Sequence, residues 1–272
     1  MNHHRLFKSI VFITLSFVLF SCEKVIDLEL DESSSRIVIE ANLLEGENQF
    51  IVSVSQTASY YDSSLPMAIE DAEVRLTDNT NKVTYDIPHQ TNGLYIQNVE
   101  GLSNTSYTLS VMHNGNEYTA VSYLPKEVEL SKLEIEEDDD DDDEGNYRLF
   151  VRFHDPAGER NFYRVVYTRM GEKVGRNSSL NITDDDFFDG GHARLRFRGN
   201  RYDLGDTVAV DLIHMDQASF EYFSSLEDIL GSSFGPGGPS AAAPGNPTTN
   251  WSLGAVGYFT AGNANRKVII IK

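Results

Sequence analysis

The chain has 272 residues and a formal charge of −20, from 42 acidic and 22 basic side chains. A field of that sign excludes general nucleic-acid binding, whose affinity comes from Lys and Arg neutralising phosphates, and adhesion to anionic lipid surfaces. One cysteine, Cys22, leaves nothing for a disulfide, so the fold must rest on apolar cores, which about 250 residues can supply as one domain or two.

Arg5 and Lys8 precede the apolar run "IVFITLSFVLF", Ile10 to Phe20, broken only by Thr14 and Ser16. A positive flank, a short apolar core and a small residue before a cleavage point are the parts of a secretory signal. The run is shorter than the roughly 20 apolar residues that span a bilayer, and it lacks the polar face of a globular helix. It ends "LFSC", which resembles the lipobox of a bacterial lipoprotein, with a bulky Phe20 as in lipoproteins of the Bacteroidota. The resemblance implies a signal peptide over 1–21 and a lipidated Cys22 heading the mature chain, held in the outer membrane and facing the cell surface. A tether over 22–35 follows. Glu23, Asp27, Glu29, Asp31 and Glu32 make it acidic, and it reads equally as a loose version of the surface-export signal of such lipoproteins or as a solvated spacer. Removing the signal takes away Arg5 and Lys8 and no acid, which moves the formal charge from −20 to −22.

Seven short β-branched runs come next: "RIVIEANL", "QFIVSVSQ", "AEVRLTD", "KVTYDI", "GLYIQNV", "SYTLSVM" and "NEYTAVSYL". Asn114-Gly115 joins the last two as a hairpin turn, since both residues tolerate positive φ. Short strands at this spacing predict a β-sandwich over 36–125. "GLSNTSYTLSV", Gly101 to Val111, resembles the tyrosine-corner segment of immunoglobulin-like sandwiches, which gives Tyr107 a structural role.

Six aspartates, Asp138 to Asp143, repel one another and read as a solvated acidic linker over 126–146. Cation binding there stays open, although the run lacks the interleaved spacing of a calcium loop. Strands resume in 147–272 with "YRLFVRFHDP", "RNFYRVVYTR", "HARLRFRGN" and "DTVAVDLIHM". The basic face Arg194, Arg196 and Arg198 reads as intramolecular charge pairing. "DTV", Asp206 to Val208, resembles an O-glycosylation acceptor but also opens a strand. Asp216 caps an amphipathic helix over 216–230, striped by Phe220, Phe223, Leu226, Ile229 and Leu230 and ended by Gly231. A Gly/Pro loop over 235–250 and a final strand from Lys267 to Ile271 complete the chain. The fold class is therefore mainly β, an N-terminal immunoglobulin-like sandwich followed by a second β-rich domain with one helix.

"CEKVIDLEL", "IEDAEVRLTD", "FEYFSSLED" and "NPTTNWSLGAVGYFTAG", in that order, resemble a Bacteroidota lipoprotein family catalogued as domain of unknown function 4249. The resemblance implies company with TonB-dependent receptors of the starch-utilisation type; it implies no reaction. The residues agree with the second point. His89, His113, His154, His192 and His214 lack zincin spacing; His154 and His214 read as exposed turn histidines. No nucleophile elbow appears, and "GPGGP" has prolines where a phosphate cradle needs N–H groups. No enzyme, cofactor or metal is expected. The leading reading is an accessory subunit of a TonB-dependent β-barrel receptor; a surface glycan-binding module or a structural envelope subunit are the alternatives. Partner contact is assigned to Trp251, Tyr258 and Phe259, with Tyr60-Tyr61 as a further aromatic platform for sugar.

Overall fold

Alternation of buried and exposed side chains builds the strands. In β1 (Ile37–Glu45) Ile37, Ile39, Ala41 and Leu43 point inward, and in β2 (Phe50–Gln56) Phe50, Val52 and Val54 do. Period two is what a strand with one buried face requires. The computed structural model describes residues 35–57, 66–137, 147–169, 172–174, 180–196, 202–232 and 245–272. All seven expected N-terminal strands are present, as β1, β2, β4 (Glu73–Asp78), β5 (Val83–Ile87), β7 (Leu94–Gln97), β8 (Thr105–His113) and β9 (Asn116–Leu124). Asn114 and Gly115 turn β8 into β9 at φ 49° and 77°, the positive values of a two-residue hairpin. Short pieces β3 (Met67–Ala68) and β6 (His89–Thr91) fill the gaps.

The later strands are β10 (Leu130–Glu137), β11 (Tyr147–His154), β12 (Phe162–Arg169), β13 (Glu172–Val174), β14 (Ile182–Asp184), β15 (His192–Leu195), β16 (Thr207–Met215) and β17 (Val256–Ile270), with helix α1 (Gln217–Ser232) before the last. They form three sheets. The largest runs β13-β12-β16-β17-β1-β2-β7-β6, with β14 on β12 and β3 on β2; the others are β5-β4-β8-β9 and β10-β11-β15. One half of the large sheet packs on the four-stranded sheet around Ile39, Phe50, Val52, Leu76, Leu109 and Phe259. The other half packs on the three-stranded sheet around Val151, Phe153, Tyr163, Tyr167, Val210 and Leu212. The first of these is the immunoglobulin-like sandwich. Its Tyr107, 1% exposed, accepts a hydrogen bond from the Leu102 N–H at 2.8 Å, closing the expected tyrosine corner. The fold is mainly β, with one helix among the described residues, and none of those residues forms a helix long and apolar enough to cross a membrane.

Two segments differ from expectation. Leu130–Glu137, read as the start of the acidic linker, is β10: Leu133 and Ile135 pack on the second core across a bulge between Leu130 and Lys132. β17 begins at Val256, not Lys267, and it joins the two sandwiches. Its first half pairs in parallel with β1, from Val38↔Val256 to Glu45↔Asn263. Its second half pairs antiparallel with β16, from Met215↔Gly262 to Thr207↔Ile270. One sheet thus crosses the 125/147 boundary, and Ser35–Lys272 form one compact unit.

Gly257 makes the parallel join fit. It sits at φ +96°, where a Cβ would lie 2.2 Å from the Ile39 carbonyl oxygen; that oxygen also accepts the Trp251 indole N–H at 3.0 Å. Gly257→Ala is expected to cost at least about 3 kcal/mol, since both backbone strain and a backbone clash oppose it. Gly254→Ala, also at positive φ but with open space around it, should cost only about 1 kcal/mol. Urea denaturation followed by Trp251 fluorescence separates the two; equal losses would remove the close approach as the cause.

Candidate binding groove

The face of the large sheet turned away from both sandwich cores carries alternate residues of β1, β17, β16 and β12. Helix α1 lies on it. Asp216 fixes the helix start twice: Oδ1 accepts the Ser219 N–H at 2.9 Å, and Oδ2 accepts the Ser122 hydroxyl and the Tyr123 N–H, both at 2.8 Å. The first bond is the cap expected from sequence; the other two tie the helix to β9. Ser122 in turn accepts the Ala261 N–H at 2.8 Å, so helix, four-stranded sheet and β17 share one hydrogen-bonded corner. Phe162, Met215, Tyr222 and Phe223 form a small core beneath the helix. Beside them a cavity of about 670 Å³ stays open, bounded by β1, β12, β16 and β17, within the usual size range of small-molecule sites.

Arg164 is the unusual group in this groove. It is half-buried on β12, and its guanidinium carbon lies 4.3 Å from the Phe223 ring centroid. Its Nε is buried without a hydrogen-bond partner, and no ion pair reaches the guanidinium among the described residues. Burial holds its pKa below the ordinary arginine value. The Tyr258 ring packs at a tilt against Tyr222 at 4.7 Å and Phe223 at 5.0 Å between centroids. Its hydroxyl accepts from Asn42 Nδ2 at 3.0 Å, which leaves its own proton free to donate. Burial pushes Tyr222 up to about 12 and raises Tyr258 as well. By contrast, Arg266 and Asp211 satisfy each other through two bonds of 2.5 and 2.9 Å, and Glu45 accepts from Ser103 and Asn263. The groove lining offers donors, aromatic faces and apolar wall. The same lining carries four carboxylates, Glu40, Glu45, Glu47 and Asp211.

Of the three residues assigned to partner contact, two are interior. Trp251 is 6% exposed and bonded to Ile39; Phe259 is 0% exposed, edge-on to Phe50 at 6.2 Å. Inward positions on the sheet claim both rings, so neither presents a surface. Only Tyr258 lies in the groove. Cys22, Tyr60, Tyr61, Asp138–Asp143 and residues 235–244 of the Gly/Pro loop lie outside the described residues.

His154 is exposed as expected. His214 is not: it is buried, stacked on Tyr163 at 5.0 Å, and its Nδ1 lies 2.8 Å from the Lys126 carbonyl, which fixes an Nδ1–H donor. Arg194 pairs with Glu134 at 3.0 Å and with Glu136, and lies 3.5 Å over the Phe150 ring, so its charge is answered within the chain. Arg152, Arg194 and Lys132 together hold the Glu134 carboxyl down to about 2. Thr207 and Val208 open β16 directly after Asp206, with Val208 in the second core.

Sequence reasoning passed over Arg164. Its only signal is a cation in the middle of "FYRVVYT", on the face opposite Tyr163 and Val165. It also passed over Asp155, Asp185 and Asp189, whose oxygens converge within 4.8 Å and have the chemistry to hold a divalent ion. Those oxygens are already engaged, by the Tyr163 hydroxyl, the Asn161 N–H and the backbone N–H groups of Gly158 and Gly190.

Residues 23–268 match the family described as Domain of unknown function (DUF4249). No curated protein matches the chain. Among solved structures it is similar to a two fibronectin type-III domain segment from chicken tenascin, at 16% identity, with a TM-score of 0.23, covering 66% of this chain and 90% of that one.

Two outcomes are expected from this geometry. Arg164→Met removes a half-buried cation that has no ion pair among the described residues, so unfolding free energy in urea should stay level or rise by about 1 kcal/mol; a loss above about 2 kcal/mol would mean that the charge has a partner. Burial lowers the His214 pKa from its ordinary 6.5, so the folded state binds its proton less readily than the unfolded chain. Its stabilising contribution is complete above pH 6.5 and is lost as pH falls below it, at up to about 1.4 kcal/mol per unit. Denaturation of wild type and His214→Asn at pH 7.5 and 5.5 should show the flatter profile in the variant; parallel profiles would contradict it.

Proposed function

The chain belongs to the DUF4249 family, and from that premise we propose that it is a lipid-anchored outer-membrane protein serving as accessory subunit of a TonB-dependent receptor, where it helps capture or admit a substrate. The observation that carries this is a coincidence of boundaries. The lipobox-like "LFSC" ends at Cys22, which would head the mature lipoprotein, and the family match begins at the next residue, 23.

Acyl chains on Cys22 would contribute about 0.8 kcal/mol per buried methylene, and two or more chains hold a protein firmly. Fully extended, residues 23–34 would reach about 40 Å, enough to let the β unit sit beside a barrel it does not enter. The groove under α1 supports a capture role, because it is a concavity lined by hydrogen-bond donors, aromatic faces and apolar side chains. The glycan-binding alternative is weakened by the interior position of Trp251, the ring best suited to stack on a sugar.

Tagged protein recovered from outer membranes in mild detergent should bring down a large β-barrel protein in stoichiometric amount, identified by mass spectrometry. Recovery of the chain alone would overturn the receptor reading. Cys22→Ala should move the protein from the membrane pellet to the soluble fraction, and continued pelleting would overturn the anchor.

A further inference from the structure

We infer that the groove beside α1 is a binding site for an amphipathic monocarboxylate, an acid group on an apolar or aromatic body, with the carboxylate received by Arg164. Arginine is rarely taken out of water without a partner. The other cation lining the groove, Arg266, is answered by Asp211. Among the described residues Arg164 has no ion pair; its guanidinium lies over the Phe223 ring near Tyr222 and Tyr258, and its buried Nε has a hydrogen to donate and no described group to receive it. A guanidinium edge fits a carboxylate with two parallel bonds. Tyr258 adds a donor, since its hydroxyl proton is not used in accepting from Asn42.

The rest of the lining fixes the class of ligand further. Val166, Leu180, Ile213 and Leu226 give the cavity an apolar wall, which suits a hydrocarbon or aromatic body. Four carboxylates also line the groove: Asp211 is paired with Arg266, Glu45 accepts from Ser103 and Asn263, and Glu40 and Glu47 stand exposed at the rim. Their field is screened by solvent, whereas that of the half-buried guanidinium is less so. A monoanion therefore gains at Arg164 more than it loses at the rim, whereas a phosphate dianion doubles both terms, gives up far more hydration on entry and has no apolar body for the wall to cover. The site names a ligand class for the capture role proposed above and rests on that reading only for its place in uptake. Failure of the pull-down would remove the receptor and leave the site, while failure of the titration below would remove the site and leave the anchor.

The test uses the intact lipidated chain in nanodiscs of neutral lipid. Octanoate, 4-phenylbutyrate, their primary amides and inorganic phosphate are titrated calorimetrically. At least one acid should bind saturably and at least tenfold more tightly than its amide, with phosphate weaker than the acid. Arg164→Gln should abolish the preference for acid over amide, Arg164→Lys should keep part of it, and Arg75→Gln, on the four-stranded sheet, should leave it intact. Near-ultraviolet circular dichroism of Trp251 reports whether each variant is folded, and the wild-type comparison of acid with amide stands whatever the variants do. Equal binding of acids and amides, no saturable binding by either acid, or phosphate binding as tightly as the acids would each overturn the proposal.

Discussion

The double pairing of β17 is the constraint on which everything else in the described unit depends. A strand that runs parallel to β1 in one half and antiparallel to β16 in the other is shared by two sandwiches, so neither core closes without it. Phe259 and Ala261 enter the first core, and Ile269 and Ile271 serve the second. Parallel pairing between segments so far apart carries a large loop-closure cost, and the sequence meets it with fit. Gly257 lets the strand approach the Ile39 carbonyl, and the indole of Trp251 bonds to that same oxygen. The end of the chain is locked too, because Ile271 exchanges backbone hydrogen bonds with Gly205 and Asp206.

The groove follows from the same strand. β17 passes from one sandwich to the other, and its outward face becomes a floor continuous from β1 to β12. Helix α1 covers part of that floor and is held in place by Asp216 and Ser122, the latter bonded to β17 itself. A helix docked at one end leaves the remaining floor as a concavity. Arg164 lies where helix and floor meet, pressed against Phe223 by the packing that seats the helix. Its unpaired state is therefore built into the junction of two elements, not produced by a stray surface rotamer.

What was legible in the sequence was whatever local chemistry decides. Alternation of β-branched residues located β1, β2, β8 and β9; the Asn114-Gly115 turn, the Tyr107 corner and the Asp216 cap each followed from a short-range requirement. β17 was not legible beyond its last residues, because Gly257, Gly262, Asn263 and Asn265 are poor strand formers that tertiary fit overrides. β10 was hidden by its glutamates, of which Glu134 and Glu136 serve to pair with Arg194. For the groove, Tyr258 was among the residues named and its neighbours were not. An aromatic reads the same in sequence whether it faces in or out, and the parity that buries Phe259 while turning Tyr258 outward belongs to the sheet register. Arg164 carried a signal only as a charge misplaced among valines and tyrosines.

The register that joins β1 to β17 also sets a timetable. During synthesis, β1 leaves the ribosome long before its parallel partner, because Val38 must wait for Val256; at 5–20 residues per second the interval is roughly ten to forty seconds. Until then one edge of β1 is a bare row of amides, open to any passing strand of another chain. The outward residues of β1, Glu40 and Asn42, place a charge and an amide along it, and such gatekeepers discourage stacking of copies. The polar residues at the rim of the groove thus serve the nascent chain before the groove exists.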